Sequence, residues 1–371
     1  MKLLESFALL RVINAMPKQL KILIVQTAFI GDVVLTLPLV QLLSKTFPHF
    51  SIDIIVIPRS AEVLRNHPDV NNIIIYDKYG IDKGVKGFLR LLKFIKSEHY
   101  DIAFIPHRSL RSALLAYLGN VGRRIGFHKS AGKILFTDIV KYEKGIHEID
   151  RNLSLLKPVS IVKVIKEPPR LYPASADVGF INKILFEEEI LDTSKLIGVA
   201  PGSVWNTKRW TKEGYIQLIK KLVARNYIVC LIGGKDDVLL CKEIVSTIGR
   251  GRVFSTAGKL SLLQSAELIK RCNVLVSNDS APIHIATAVE TSVVAIFGPT
   301  VPAFGFAPFG NFDAIIETLG LKCRPCGIHG GEKCPIGTFE CMLKITHELV
   351  YDKVMEVYYK SMEMKSREMQ R

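Results

Sequence analysis

The sequence predicts an α/β protein of two Rossmann-like domains, each a parallel sheet wrapped by helices, with the two sheets facing across a cleft. Three observations predict it. Short apolar runs alternate with amphipathic helical stretches along both halves of the chain. Each half opens with a strand, a glycine-containing loop and a helix. Between them, residues 167–173 (EPPRLYP) place prolines at positions 168, 169 and 173, a composition that suits a linker. The length of 371 residues, 48% of them hydrophobic and 23% charged, gives each half enough material for a core of its own.

In the first half, residues 21–26 (KILIVQ) read as a buried strand that ends at Thr27-Ala28-Phe29-Ile30-Gly31-Asp32. A helix follows, with Val33, Val34, Leu37, Val40, Leu42 and Leu43 at helical spacing. Residues 52–57, 73–76 and 102–105 are further strands; residues 86–97 and 110–118 are helical. After the proline-rich break the pattern restarts. Residues 196–200 form a strand, residues 211–225 a helix, and residues 228–232 a strand ending in Gly233-Gly234. Residues 273–277 and 293–297 complete the set. The expected division is an N-terminal extension helix at 1–20, a first Rossmann-like domain at 21–170, a second at 171–350 and a charged helical tail at 351–371.

Leu3, Leu4, Phe7, Leu10 and Ile13 give residues 1–16 an amphipathic helical spacing suited to packing on the body or lying on a membrane. Glu5 and Arg11 inside this stretch argue against a signal peptide, and no apolar run reaches the ~18–20 residues of a membrane span. The expected location is therefore the cytoplasm. The net charge of +15 favours an anionic partner, whether a phosphorylated substrate, a membrane surface or nucleic acid, or serves solubility alone.

Ligands of doubly wound sheets bind beyond the carboxyl ends of the strands, and most of the polar motifs fall there. Gly31 permits a tight turn into the first helix. Asp32 then sits where it can cap free backbone N–H groups, the simpler reading of its spacing, or serve as a general base towards a hydroxyl. The stretch Pro201 to Trp210 (PGSVWNTKRW) follows a strand and precedes a helix. Its N–H groups, with Lys208 and Arg209, form either a diphosphate cradle or a solvated basic turn. It has neither the spacing of a P-loop nor GxGxxG, which lowers the weight of nucleotide hydrolysis and nicotinamide chemistry. Ser277-Asn278-Asp279-Ser280-Ala281-Pro282-Ile283-His284 also ends a strand; it reads as a sugar or nucleotide site, or as a capped helix start with a core histidine.

A basic segment follows the strand at 102–105: His107, Arg108, Arg111, Arg123, Arg124, His128, Lys129 and Lys133. It suits an acidic acceptor or a solvated face. Tyr117 and Phe127 are too sparse an aromatic interleaving for single-stranded nucleic acid. Cys230, Cys241 and Cys272 sit in apolar or helical contexts and read as core residues. Cys323, Cys326, Cys334 and Cys341 cluster; they match a structural zinc site only loosely and read equally as reduced thiols.

Three motifs in order, GDVVLTLP, PGSVWNTKRW and VSNDSAPIHIATAVETSVVAIFGPT, resemble the ADP-heptose:lipopolysaccharide heptosyltransferases, glycosyltransferase family 9. The stretch from Cys323 to Met342 is similar to that family's C-terminal region, and the resemblance runs from about residue 21 to about residue 350. It implies a GT-B fold, with the acceptor-binding domain at 21–170 and the nucleotide-sugar-binding domain at 171–350, and an inverting transfer of heptose from ADP-L-glycero-D-manno-heptose to the inner core of lipopolysaccharide, with no metal required for catalysis. By resemblance Asp32 is the base and Lys208 neutralises the departing diphosphate. Ser203 and Val204 contact phosphate, and Asp279, Ser280, Ala281 and His284 surround the donor sugar. Asp236 binds the ribose hydroxyls, while Arg108 and Arg111 hold the acceptor's carboxylate or phosphates. Domain closure would then exclude water. The implied partners are ADP-heptose, a lipid A-linked anionic core saccharide and the inner face of the inner membrane, with no nucleic acid. Ala281 departs from the family, where glycine is common. Two rival functions stand beside this one: a GT-B transferase for another nucleotide sugar, and a non-catalytic protein that binds nucleotide sugars or anionic glycans.

Overall fold

The computed structural model describes residues 20–46, 49–159, 166–249 and 251–369. The expected helix at 1–20 therefore lies outside the described residues, apart from Leu20. The chain divides into two compact units, residues 1–169 and 170–371, with the boundary inside the proline-rich stretch. Residues on either side of that boundary are tied to their own unit. Glu167 pairs with Lys45 at 2.5 Å and the Pro168 carbonyl accepts from Gln41 at 3.1 Å. Leu171 donates its N–H to the Ala288 carbonyl.

The first unit holds a six-stranded, wholly parallel sheet: β1 (Leu20–Val25), β2 (Phe50–Val56), β3 (Asn72–Ile75), β4 (Ile102–Ile105), β5 (Arg123–Phe127) and β6 (Asp138–Val140). Its order is β3-β2-β1-β4-β5-β6. The second unit repeats that plan with β7 (Leu196–Ala200), β8 (Ile228–Leu231), β9 (Val253–Ser255), β10 (Val274–Asn278), β11 (Ser292–Phe297) and β12 (Ala314–Glu317). Its order, β12-β11-β10-β7-β8-β9, is the same sequence of strands counted from the other edge. In each sheet the order reverses beside the first strand, between β1 and β4 and between β7 and β10. Crossovers there leave opposite faces and open a crevice at the carboxyl ends. The central strands read as unbroken apolar runs because helices cover both faces of the sheet; every residue of β7 and of β10 is buried.

Four strands escape the sequence reading: β5, β6, β9 and β12. The shortest, β6 and β9, have three residues each, and β5 begins with two arginines. β5, β6 and β9 lack the apolar run by which a strand is recognised, whereas β12 carries a short one, Ala314-Ile315-Ile316, at the edge of its sheet. The final helix begins at His347 and runs to Met369. Val350, Val354, Val357 and Tyr358 bury themselves in the second unit's core, and the Tyr358 hydroxyl donates to the Ser194 carbonyl at 2.8 Å. The C-terminal charges therefore decorate the outer face of a docked helix.

Candidate functional site

In the first unit the chain leaves β1 through Gln26-Thr27-Ala28-Phe29 and enters the short helix Ile30–Val34. Asp32 accepts the Phe29 N–H at 3.2 Å, so the capping role suggested by its spacing is realised. The turn beyond it is fixed by buried bonds. The Thr36 hydroxyl donates to the Asp32 carbonyl at 2.8 Å, and Asn152 donates to the Leu35 carbonyl at 3.0 Å. Asp32 itself stays half-buried, with its carboxylate in the field of a second acid, Glu148.

Glu148 opens the helix Glu148–Leu153 and is ion-paired to the fully buried Arg151. Burial pushes the Glu148 carboxyl up to about 7; the Arg151 cation opposes this and Asp32 adds to it. Arg151 also donates to the carbonyls of Glu143 (3.0 Å) and Ile146 (2.9 Å). Its guanidinium lies 4.4 Å from the centroid of the Tyr142 ring. The exposed guanidinium of Arg108 lies 4.4 Å from the same centroid, and Phe127 meets the ring edge-on at 5.3 Å. His128 Nδ1 accepts the Tyr142 N–H at 2.8 Å. Arg108 is thus preset against an aromatic face that a buried ion pair supports.

A second cationic group gathers at the ends of β1, β3 and β4. Lys78 donates to the Thr27 carbonyl at 2.7 Å. Burial, then the nearby charge of Arg111, lowers the Lys78 ammonium below its ordinary range. His107 Nδ1 shares hydrogen bonds with Thr27 Oγ1 (2.9 Å) and Ser112 Oγ (2.8 Å). Burial, helped by Lys78 and Arg108, drops its pKa to about 4, so the ring is neutral at pH 7. The basic segment, read as either an acceptor site or a solvated face, is divided. Arg123 and Arg124 open β5, at the opposite edge of the sheet from its carboxyl ends. There Arg123 forms a bidentate pair with Asp138 at 2.9 Å, and Arg124 donates to the Val121 and Leu135 carbonyls. Both serve the fold.

In the second unit, Asn278 closes β10 and is fully buried. Its amide donates to the Pro201 carbonyl at 2.8 Å, and its carbonyl accepts from the Trp210 N–H (2.9 Å) and the Tyr215 hydroxyl (3.0 Å). This one side chain binds both ends of the Pro201 to Trp210 loop to the sheet. Arg209 donates to the Ser203 carbonyl at 2.8 Å. Ser203 is buried, whereas Val204 is exposed at the crest of the loop.

Lys208 meets Asp279 at 2.6 Å in a nearly buried ion pair. The same Asp279 oxygen accepts the Thr300 hydroxyl at 2.6 Å. Thr300 lies just beyond β11, and its carbonyl accepts from Arg324 at 2.7 Å. The Arg324 side chain is buried between Cys323 and Cys326 in sequence and also pairs with Glu317 at 2.5 Å. From the other side, the Thr207 N–H and hydroxyl both donate to the Gly331 carbonyl, at 3.0 and 2.9 Å. The cysteine-rich segment therefore braces the Lys208–Asp279 pair from two directions.

Ser280 is the N-cap residue and Ala281 the first residue of the helix Ala281–Ala288; the Ser280 hydroxyl donates to the Asn278 carbonyl at 3.3 Å. His284 is buried in that helix, its ring centroid 6.4 Å from that of Phe306. Asp236 is exposed beyond β8. Its neighbour Asp237 accepts the Gly234 N–H at 2.9 Å and packs against Gly202, where a Cβ would collide with the carboxylate. The seven cysteines are free thiols, and among the described residues no three His, Cys, Asp or Glu side chains form a group that could hold a metal ion.

Sequence reasoning missed Lys78, Tyr142, Glu148 and Arg151 in the first unit, and Asp237, Thr300 and Arg324 in the second. Thr300 carried a signal. It follows β11 as Asn278-Asp279 ends β10, at the strand end where ligands bind.

Comparison with known proteins now adds to this geometry. The sequence profile of glycosyltransferase family 9 (heptosyltransferase) matches residues 88–330. Lipooligosaccharide heptosyltransferase 2 of Haemophilus influenzae is 26% identical over 356 residues, covering 92% of this chain and all of that protein. Lipopolysaccharide heptosyltransferase 2 of Salmonella typhimurium is 26% identical over 294 residues, 77% of this chain and 84% of its own. Among solved structures, a family 9 glycosyltransferase from Veillonella parvula superposes with a TM-score of 0.83 at 21% identity, covering 93% of this chain and 99% of that one. The E. coli ADP-heptose lipopolysaccharide heptosyltransferase II superposes with 0.75 at 22% identity, covering 92% and 99%. The shared fold is GT-B.

Proposed function

The chain belongs to glycosyltransferase family 9, and on that premise we propose that it moves heptose from ADP-L-glycero-D-manno-heptose to the inner core of lipopolysaccharide. The observation that carries the reading is Lys208. It is an ammonium held at the carboxyl end of the second sheet, on a loop of backbone amides where the strand order reverses. A leaving diphosphate gathers negative charge, and a preset cation on that charge lowers the barrier. The second unit thus supplies the donor site. Lys208, Ser203 and the Val204 loop take the diphosphate, Asp279, Ser280, Ala281 and His284 take the heptose, and Asp236 takes the ribose.

The first unit supplies the acceptor site. Arg108 and Arg111 hold the carboxylate or phosphates of a lipid A-linked core saccharide. Asp32 removes the proton of the acceptor hydroxyl as its oxygen attacks the anomeric carbon. The bond from that carbon to ADP breaks with inversion, and the electron pair leaves on ADP. No step needs a metal. Among the described residues no helix is long and apolar enough to cross a membrane. A lipid-anchored acceptor then places the enzyme at the inner, cytoplasmic face of the inner membrane.

The test is ADP release by the purified chain supplied with ADP-heptose and either Kdo-lipid A or a heptosylated acceptor. Acceptor-dependent release is expected, and Asp32→Ala should reduce it by ~10²–10⁴, the usual range for loss of a general base. The absence of both ADP release and donor binding would overturn the assignment. A second reading, a different nucleotide sugar, is favoured by Ala281 at a position where glycine is common in the family. A panel of nucleotide sugars separates the two.

A further inference from the structure

We propose that Tyr79, Ile81 and the outer face of the helix Gly84–Glu98 form the surface by which this chain docks on an anionic phospholipid bilayer. The inference deepens the proposed function, and its biological sense rests on that reading. The helix buries Gly87, Leu91, Leu92 and Ile95 against the first unit. A surface helix ordinarily turns polar residues outward. Here the outer side carries Val85 at 70% exposure and Leu89 at 53%, one turn apart, and the loop before it carries Tyr79 at 77% and Ile81 at 81%. Among the described residues, nothing in the unit's own packing calls for these four side chains.

The fully exposed charges on this helix, and Lys83 just before it, are all positive. Lys83, Lys86, Lys93 and Lys96 are exposed, and among the described residues none has a carboxylate partner. Lys93 continues the Val85–Leu89 row by one further turn. The nearby acids are already engaged. Asp77 accepts the N–H groups of Gly80 (2.9 Å) and Ile81 (3.1 Å). Asp82 is buried, pairs with Arg90 and accepts the Asp77 N–H at 3.0 Å. Exposed apolar side chains interleaved with unpaired lysines fit an interface of anionic headgroups over acyl chains. The apolar groups enter the boundary and the lysines meet the negative surface.

The patch is continuous with the acceptor residues. Tyr79 lies beneath Lys78, whose Nζ is 5.2 Å from its ring centroid, and Lys78 in turn neighbours Arg111. A saccharide carried on a lipid stays within a short reach of the bilayer. A docking face that begins one residue from these cations presents them at that height.

The experiment is co-sedimentation of the full chain with vesicles of phosphatidylglycerol and phosphatidylethanolamine, or of phosphatidylcholine alone, across a salt series. Binding to the anionic vesicles should be at least tenfold tighter and should weaken as salt rises. The triple variant Ile81→Asp, Val85→Asp, Leu89→Asp should lose at least tenfold, as should Lys83→Glu, Lys86→Glu, Lys93→Glu. Both should keep the wild-type melting temperature and the wild-type ADP release on a soluble, deacylated acceptor. Equal binding to both vesicle types overturns the proposal, as does undiminished binding by the apolar variant. So does a wild-type dimer that the apolar variant converts to monomer, which would make the face a contact between copies. Vesicle binding without ADP release from any acceptor supports the docking face and counts against the transfer reading alone.

Discussion

Asp32 and Glu148 show how two carboxylates in one unit come to differ. Asp32 is half-buried and accepts a backbone N–H, whereas Glu148 is buried against Arg151 with its carboxyl raised to about 7. A raised acid contributes stability that is fully present below its ordinary value and is lost as pH rises through the folded one. Glu148→Gln removes that loss. Its melting temperature should therefore gain on the wild type as pH rises from about 4.5 to about 7, measured by thermal unfolding across that range. A constant offset would show that Glu148 does not titrate there. His107 works in the opposite sense. Its pKa is lowered to about 4, so it stabilises the fold above the ordinary histidine range and less as pH falls towards 4. On the donor side, Lys208→Met keeps the stem and removes the charge. It should lower kcat by ~10²–10³ if the ammonium meets the leaving diphosphate in the transition state. Steady-state kinetics across a donor concentration series measure this, and a loss confined to KM would mean that Lys208 binds the ground state and the transition state alike.

At the scale of elements, the cysteine-rich segment acquires a task that its cysteines did not announce. Arg324 holds the Thr300 carbonyl, the Thr300 hydroxyl holds Asp279, and Asp279 holds Lys208; Gly331 meanwhile grips Thr207. Thr300→Val keeps the shape and deletes one charge-assisted hydrogen bond, a change of ~1–3 kcal/mol when a buried acceptor is left short of a donor. Donor affinity should fall about tenfold by that arithmetic, and Thr300→Ser should restore it. Isothermal titration with ADP decides the matter. Equal weakening in both variants would show that the Thr300 hydroxyl is not what secures Asp279, since serine retains that hydroxyl and valine lacks it. The strand ends offer a parallel lesson. Asn278 could be recognised from sequence as part of a polar cluster after a buried strand. That it clamps Pro201 and Trp210 at once depends on β10 lying beside β7.

Across the whole molecule, the two units carry independent sheets of identical strand order. The second also owns the terminal helix His347–Met369, whose apolar face completes its core. Every residue assigned to the donor lies in that second unit. Residues 170–371 expressed alone should therefore fold cooperatively and bind ADP within about tenfold of the full chain, a difference of ~1.4 kcal/mol. Calorimetry of the fragment tests this, and an unfolded fragment would show that its core depends on the first unit.

The order of residues along the chain was enough for the class of fold, the break at the proline-rich stretch and the strand ends at which Asp32, Lys208 and Asp279 would sit. These follow from backbone periodicity and turn chemistry, both local properties of a few neighbouring residues. It left β5, β6, β9 and β12 unread, because two are only three residues long and the arginines of β5 mask its apolar end. Tertiary structure alone decided which distant residues meet. Lys208 finds Asp279 across 71 positions, and Thr207 finds Gly331 across 124. Tyr142 receives both Arg108 and Arg151, while Arg123 and Arg124, in the same basic run as Arg108, go to the opposite edge of the sheet. The order in which strands assemble sets those meetings, and strand order is a property of the packed whole. The same holds for Val85 and Leu89, whose outward side was fixed only when Leu91, Leu92 and Ile95 took the inward one.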